Sequence, residues 1–193
     1  MEKERLAAFS DGVIAIIITI MVLELVPPHE VTLHGLTLIA PIFFAYVLSF
    51  LYVAIYWNNH HHMLATVTHV NGAILWANMH LLFWLSLIPF TSAWLGETGG
   101  AMWPTIIYGV DLLACAIAYF ILQTLIIRAH GEGHVLKRAV GSDWKGKLSP
   151  LLYISAIGAA FVAPWISHAL YAASALIWLV PDKRIETAIL ADG

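Results

Sequence analysis

Apolar runs of about 20 residues divide this chain, the length a helix needs at ~1.5 Å per residue to cross a hydrocarbon layer ~30 Å thick. They extend from Ala7 to Val26, Leu36 to Trp57, Ile74 to Leu95 and Thr105 to Ile127. The stretch from Leu148 to Val180 is apolar too, but it holds Pro164, Ser167 and His168 near its middle. It suits two short helices over 148–164 and 167–180 joined by a tight turn, with a re-entrant pair as the competing arrangement. Pro27-Pro28, Gly99-Gly100 and the segment from Gly131 to Gly146 punctuate the other boundaries. The expected fold class is all-α: one polytopic membrane domain over 1–193 with six transmembrane helices.

Composition removes the soluble alternatives. With 61% hydrophobic residues, 11% charged residues and a mean hydropathy of +0.83, a chain of 193 residues carries more apolar surface than one core can hide. The lipid bilayer is the expected solvent. Eight Trp and seven Tyr agree, because amphipathic rings settle at membrane interfaces. A formal charge of -3 offers no basic surface for nucleic acid. The opening Met1 to Arg5 runs into the first apolar stretch without a small-residue cleavage site, so that stretch is expected to stay as a helix. Cys115 is the single cysteine and sits in an apolar run, with no companion for a disulfide or a metal site.

Charge assigns the sides. Six crossings place the N-terminus, the loop around His60, the loop from Ala129 to Lys147 and the C-terminus together. Lys3, Arg5, Arg128, Lys137, Arg138, Lys145, Lys147, Lys183 and Arg184 are all nine Lys and Arg of the chain, and every one falls on that side. The positive-inside bias makes it cytoplasmic, with both termini there. Five crossings would put the C-terminal pair outside. The opposite loops carry Glu30 and Glu97 and no basic residue, which favours cations over anions at an outer mouth.

Polar groups inside spans are costly and default to a functional role. Ser10 and Asp11 lie in the sequence Arg5-Leu6-Ala7-Ala8-Phe9-Ser10-Asp11-Gly12. A helix cap would account for these two, but not for Arg5, Phe9 and Gly12 beside them. The sidedness brings this end of the first helix to the depth where the second span closes, with Trp57 and His60-His61-His62, and where the third opens, with Asn71, Asn78 and His80. Ser10 and Asp11 are therefore expected to hydrogen-bond to donors drawn from Trp57, the histidines and Asn78. The His run is a poor metal site, because consecutive helical residues project about 100° apart and no Cys pair or HExxH accompanies them. Asp111 is open between an ion or proton site, a partner for a polar group on another helix, and a residue reached by water.

Arg5, Phe9-Ser10-Asp11-Gly12, Ala15-Ile16 and Thr19 together resemble the signature of the transmembrane protein 175 family, the endolysosomal potassium channels and their shorter prokaryotic relatives. Tyr56-Trp57 with the His run, and Leu87-Ile88-Pro89-Phe90-Thr91, add to the likeness. The resemblance implies a homotetramer whose central pore is lined by the first helix, with no re-entrant filter; the sequence likewise contains no TVGYG-like run. It implies a modestly potassium-selective cation channel in a prokaryotic plasma (inner) membrane, with permeant monovalent cations and no cofactor. It also implies that the Phe9-Ser10-Asp11 motif is a structural network at the cytoplasmic end of the pore helix; with the partners expected above, that network takes in Arg5, Phe9, Ser10, Asp11, Trp57, His61 and Asn78. Ile16, Ile20 and Leu23 fall at i, i+4 and i+7, one helical stripe, with Thr19 beside it. The resemblance makes Ile16 the narrowest ring and Thr19 a ring aiding selectivity. Without it, that stripe would be taken to face lipid or another helix.

A proton-coupled secondary transporter using Asp11, Asp111, His80 and Glu24 as relays is the alternative in another class. No repeated pair of Gly- or Pro-broken spans marks a midplane substrate site for it. An enzyme is not expected, since no nucleophile and base stand at a recognisable spacing.

Overall fold

The first helix, α1, spans Lys3–Val22 and so begins and ends four residues before the apolar run from Ala7 to Val26. Glu4 in its first turn complements the positive end of the helix dipole. At the other end Pro27 disfavours helical geometry in the residue before it. The chain leaves α1 through a tight turn in which the Leu25 amide donates to the Val22 carbonyl at 3.1 Å. The structure, a computed structural model, describes residues 2–131, 134–140 and 144–179. Val180, Lys183, Arg184 and the C-terminus lie outside the described residues.

A short helix α2 (Leu33–Leu38), capped by the Thr32 hydroxyl, leads into α3 (Ala40–Ala65). That helix runs past Trp57, so His60, His61 and His62 are helical residues and not a loop. The third apolar run divides into α4 (Gly72–Leu85) and α5 (Ile88–Glu97). Pro89 lacks an amide hydrogen and its ring crowds the carbonyl four residues back, which breaks a helix at that point. Then come α6 (Met102–His130), α7 (Val135–Val140), α8 (Trp144–Ala160) and α9 (Pro164–Leu179). Four described stretches are long and apolar enough to cross a membrane: α1, α3, α4 with α5, and α6. At 17 and 16 residues, α8 and α9 are shorter and are joined by a turn around Phe161 to Ala163.

Helix α1 lies against α3, α4 and α5, while α6 packs on α4, α5, α8 and α9. One apolar cluster joins Leu6, Ile14, Ile17 and Met21 of α1 to Met63, Leu81 and Leu122. A second centres on Tyr52, Tyr108, Tyr153 and Tyr171. Small residues set the close approaches: a Cβ on Gly96 would stand 2.7 Å from the Ile42 Cα, which lets α5 pack tightly on α3. Phe44, Trp76, Phe120, Val162 and Trp165 are exposed on the outside, as lipid contact allows.

Contacts at one end tie the basic segments together. Lys3 Nζ donates to the Ala65 carbonyl at 3.2 Å, the Thr68 amide donates to His130 Nε2 at 3.0 Å, and His134 Nε2–H donates to the Thr66 carbonyl at 2.9 Å. The start of α1, the end of α3 and the end of α6 thus share one end of the bundle.

Candidate functional site

Helix α1 has two faces with different fates. Leu6, Ser10, Ile14, Ile17 and Met21 recur every three or four residues and are buried against α3, α4 and α5. The other face carries Arg5, Phe9, Gly12, Ile16, Thr19 and Ile20, all exposed. Ile16 is 58% and Leu23, the residue that closes the helix, 73% open in the single chain. The Thr19 hydroxyl donates to the Ile16 carbonyl at 2.9 Å, so its oxygen keeps lone pairs directed away from the helix. Toward the other end a groove between α1 and α5 is lined by Ile16, Ile20, Pro89 and Phe90, and by the carboxylates Glu24 and Glu97.

Ser10 holds the buried face in register. Because α1 starts at Lys3, Ser10 and Asp11 lie in its second and third turns and are not caps. Ser10 is fully buried; its hydroxyl donates to the Leu6 carbonyl at 2.8 Å and accepts from Asn78 Nδ2 at 2.9 Å. Asn78, also fully buried on α4, accepts through Oδ1 from His60 at 2.7 Å. The proton is therefore on His60 Nε2. Beside this chain the Trp57 indole N–H donates to Asp11 Oδ1 at 2.9 Å. Hydrogen bonds thus pin three helices, and those through Ser10, Asn78 and His60 are buried away from water.

The network's histidine is His60, which corrects the expectation of His61. His60 lies seven residues, about two turns, after buried Val53 and so shares the inward stripe of α3. His61 is exposed and leans on the Trp57 ring, with centroids 5.9 Å apart. Arg5 and Phe9 stand on the exposed face of α1 and do not join the hydrogen-bonded chain among the described residues. The helical register of α3 was the signal that separates the two histidines, but it can be used only once α3 is known to continue to Ala65. Asp111, on α6, takes a hydrogen bond from the Thr91 hydroxyl of α5 at 2.9 Å through Oδ2, while its buried Oδ1 has no donor among the described residues.

Residues 5–89, which carry both the exposed face and the anchor, match the sequence profile of the endosomal/lysosomal potassium channel TMEM175. A potassium channel of Chryseobacterium sp. (strain P1-3) is 53% identical over 98% of this chain and 98% of its own length. The chain belongs to the TMEM175 family. A potassium channel of Streptomyces collinus is 29% identical over 92% of this chain and 91% of its own. The crystal structure of a lysosomal potassium-selective channel TMEM175 homologue from Chamaesiphon minutus superposes with a TM-score of 0.81 at 26% identity, covering 94% of this chain and 98% of that one. The TMEM175 relatives are integral membrane ion channels and not enzymes.

Proposed function

We propose that this chain is one subunit of a potassium-permeable, modestly potassium-selective cation channel: a homotetramer of six-helix subunits around a central pore lined by α1. The exposed face of α1 carries the proposal. A helix whose one face is packed inside its own subunit, and whose other face is a continuous stripe from Arg5 to Leu23, is suited to meet its copies around an axis. In a fourfold assembly Ile16, Ile20 and Leu23 each form an apolar ring, with Ile16 as the constriction. Such rings gate by dewetting, while the outward lone pairs of Thr19 can replace part of an ion's water shell. Glu24 and Glu97 in the adjoining groove attract cations toward that end. The basic end is cytoplasmic, in a prokaryotic plasma membrane, by the positive-inside bias. No cofactor is needed.

The test is passive flux into liposomes holding the purified protein, driven by a potassium gradient without valinomycin. Protein-dependent uptake is expected without a proton gradient, and Ile16→Asn is expected to raise it several-fold by wetting the constriction. Flux that requires a proton gradient, or that ignores Ile16 substitutions, overturns the pore in favour of a proton-coupled carrier. Crosslinking in detergent that stops at dimers overturns the fourfold arrangement.

A further inference from the structure

On the flank formed by α3, α6, α8 and α9, a cavity of about 360 Å³ opens between the helices. That volume lies within the ~300–1,000 Å³ of ligand pockets. Its walls include Ile55 of α3, Ile117 and Phe120 of α6 and Pro150 of α8, with Asn59 and Gln123 as polar members, so an occupant must be apolar along most of its length.

Not all of the lining is apolar. Lys147, exposed near the start of α8 on the basic end of the bundle, belongs to it. Trp178 of α9 forms part of the same wall; its indole N–H donates to Ser149 Oγ at 2.7 Å, and Lys145 Nζ stands 5.8 Å from the centroid of the ring. No acidic side chain lines the cavity among the described residues. A long apolar body with an anionic end answers both observations, and basic pockets between membrane helices take anionic headgroups. We infer that this cavity binds an anionic membrane phospholipid, with one acyl chain between α3, α6 and α8 and its phosphate against Lys147. The inference is independent of ion conduction.

Native mass spectrometry of the full-length, delipidated protein, titrated with dioleoyl phosphatidylglycerol or dioleoyl phosphatidylcholine, tests it. One phosphatidylglycerol per subunit is expected, bound about fivefold more tightly than phosphatidylcholine, the effect of roughly one lysine at a membrane surface. Lys147→Gln, a change at an exposed residue that leaves the packing intact, is expected to erase that preference; Ala116→Leu, which narrows the cavity, is expected to weaken both lipids. Free glycerol phosphate is expected not to compete. Equal binding of the two lipids, a preference that survives Lys147→Gln, or displacement by glycerol phosphate alone overturns the site.

Discussion

Two of the polar centres among the described helices are built to different standards. Around Ser10, the Asn78 amide both donates and accepts, His60 supplies the matching proton, and the Ser10 hydroxyl reaches its own helix. Around Asp111, one carboxylate oxygen takes the Thr91 hydroxyl and the other has no donor among the described residues. In a medium without water, a satisfied network holds one arrangement while a half-satisfied one holds it weakly. The first centre thus fixes the helix that carries the candidate pore face. The second joins α5 to α6 with a single bond.

Substitutions can break this contrast. The largest effect is expected from Asn78→Leu, which strands the buried His60 Nε2–H and removes the donor to Ser10; the cost is about 2 kcal/mol, read as easier unfolding by dodecyl sulfate in mixed micelles. Asp111→Leu in the same assay is expected to cost under about 1 kcal/mol, because the orphan oxygen goes with it and an unpaired buried polar atom is itself costly. Thr91 also keeps the Ile88 carbonyl, 3.3 Å from its hydroxyl, as an acceptor. Were Asp111→Leu the more damaging of the two, Oδ1 would have to meet a water or an ion, and the contrast would reverse. His61→Ala is expected to matter least, within about 0.5 kcal/mol as for other exposed positions. A loss matching that of Asn78→Leu would return His61 to the network.

Much of the site was legible beforehand for a physical reason. Ser10, Asp11 and Asn78 are polar groups in apolar runs and Trp57 closes one, and a bilayer leaves such groups few partners but each other. Pairing charge sidedness with span order was enough to bring those helix ends to one depth. The spacing of Ile16, Ile20 and Leu23 likewise marked one face of a helix, because 3.6 residues per turn is a property of the backbone.

What composition could not convey was where hydrogen bonding starts and stops. Apolar runs measure transfer into lipid, whereas helices obey amide pairing, so α1 begins at Lys3, α3 continues to Ala65 and Pro89 divides α4 from α5. The length of α3 then decided between neighbours. Each residue turns a helix by about 100°, so His60 faces Asn78 while His61 faces away. The sequence by itself determined that this chain lives in a membrane as a bundle of helices and that its first helix has a polar anchor and an apolar stripe. Only the tertiary structure decided that Asn78, 68 residues from Ser10, binds it, and that the stripe lies open in the single chain. Contacts between distant segments depend on which helix faces are already taken, and no local pattern encodes that.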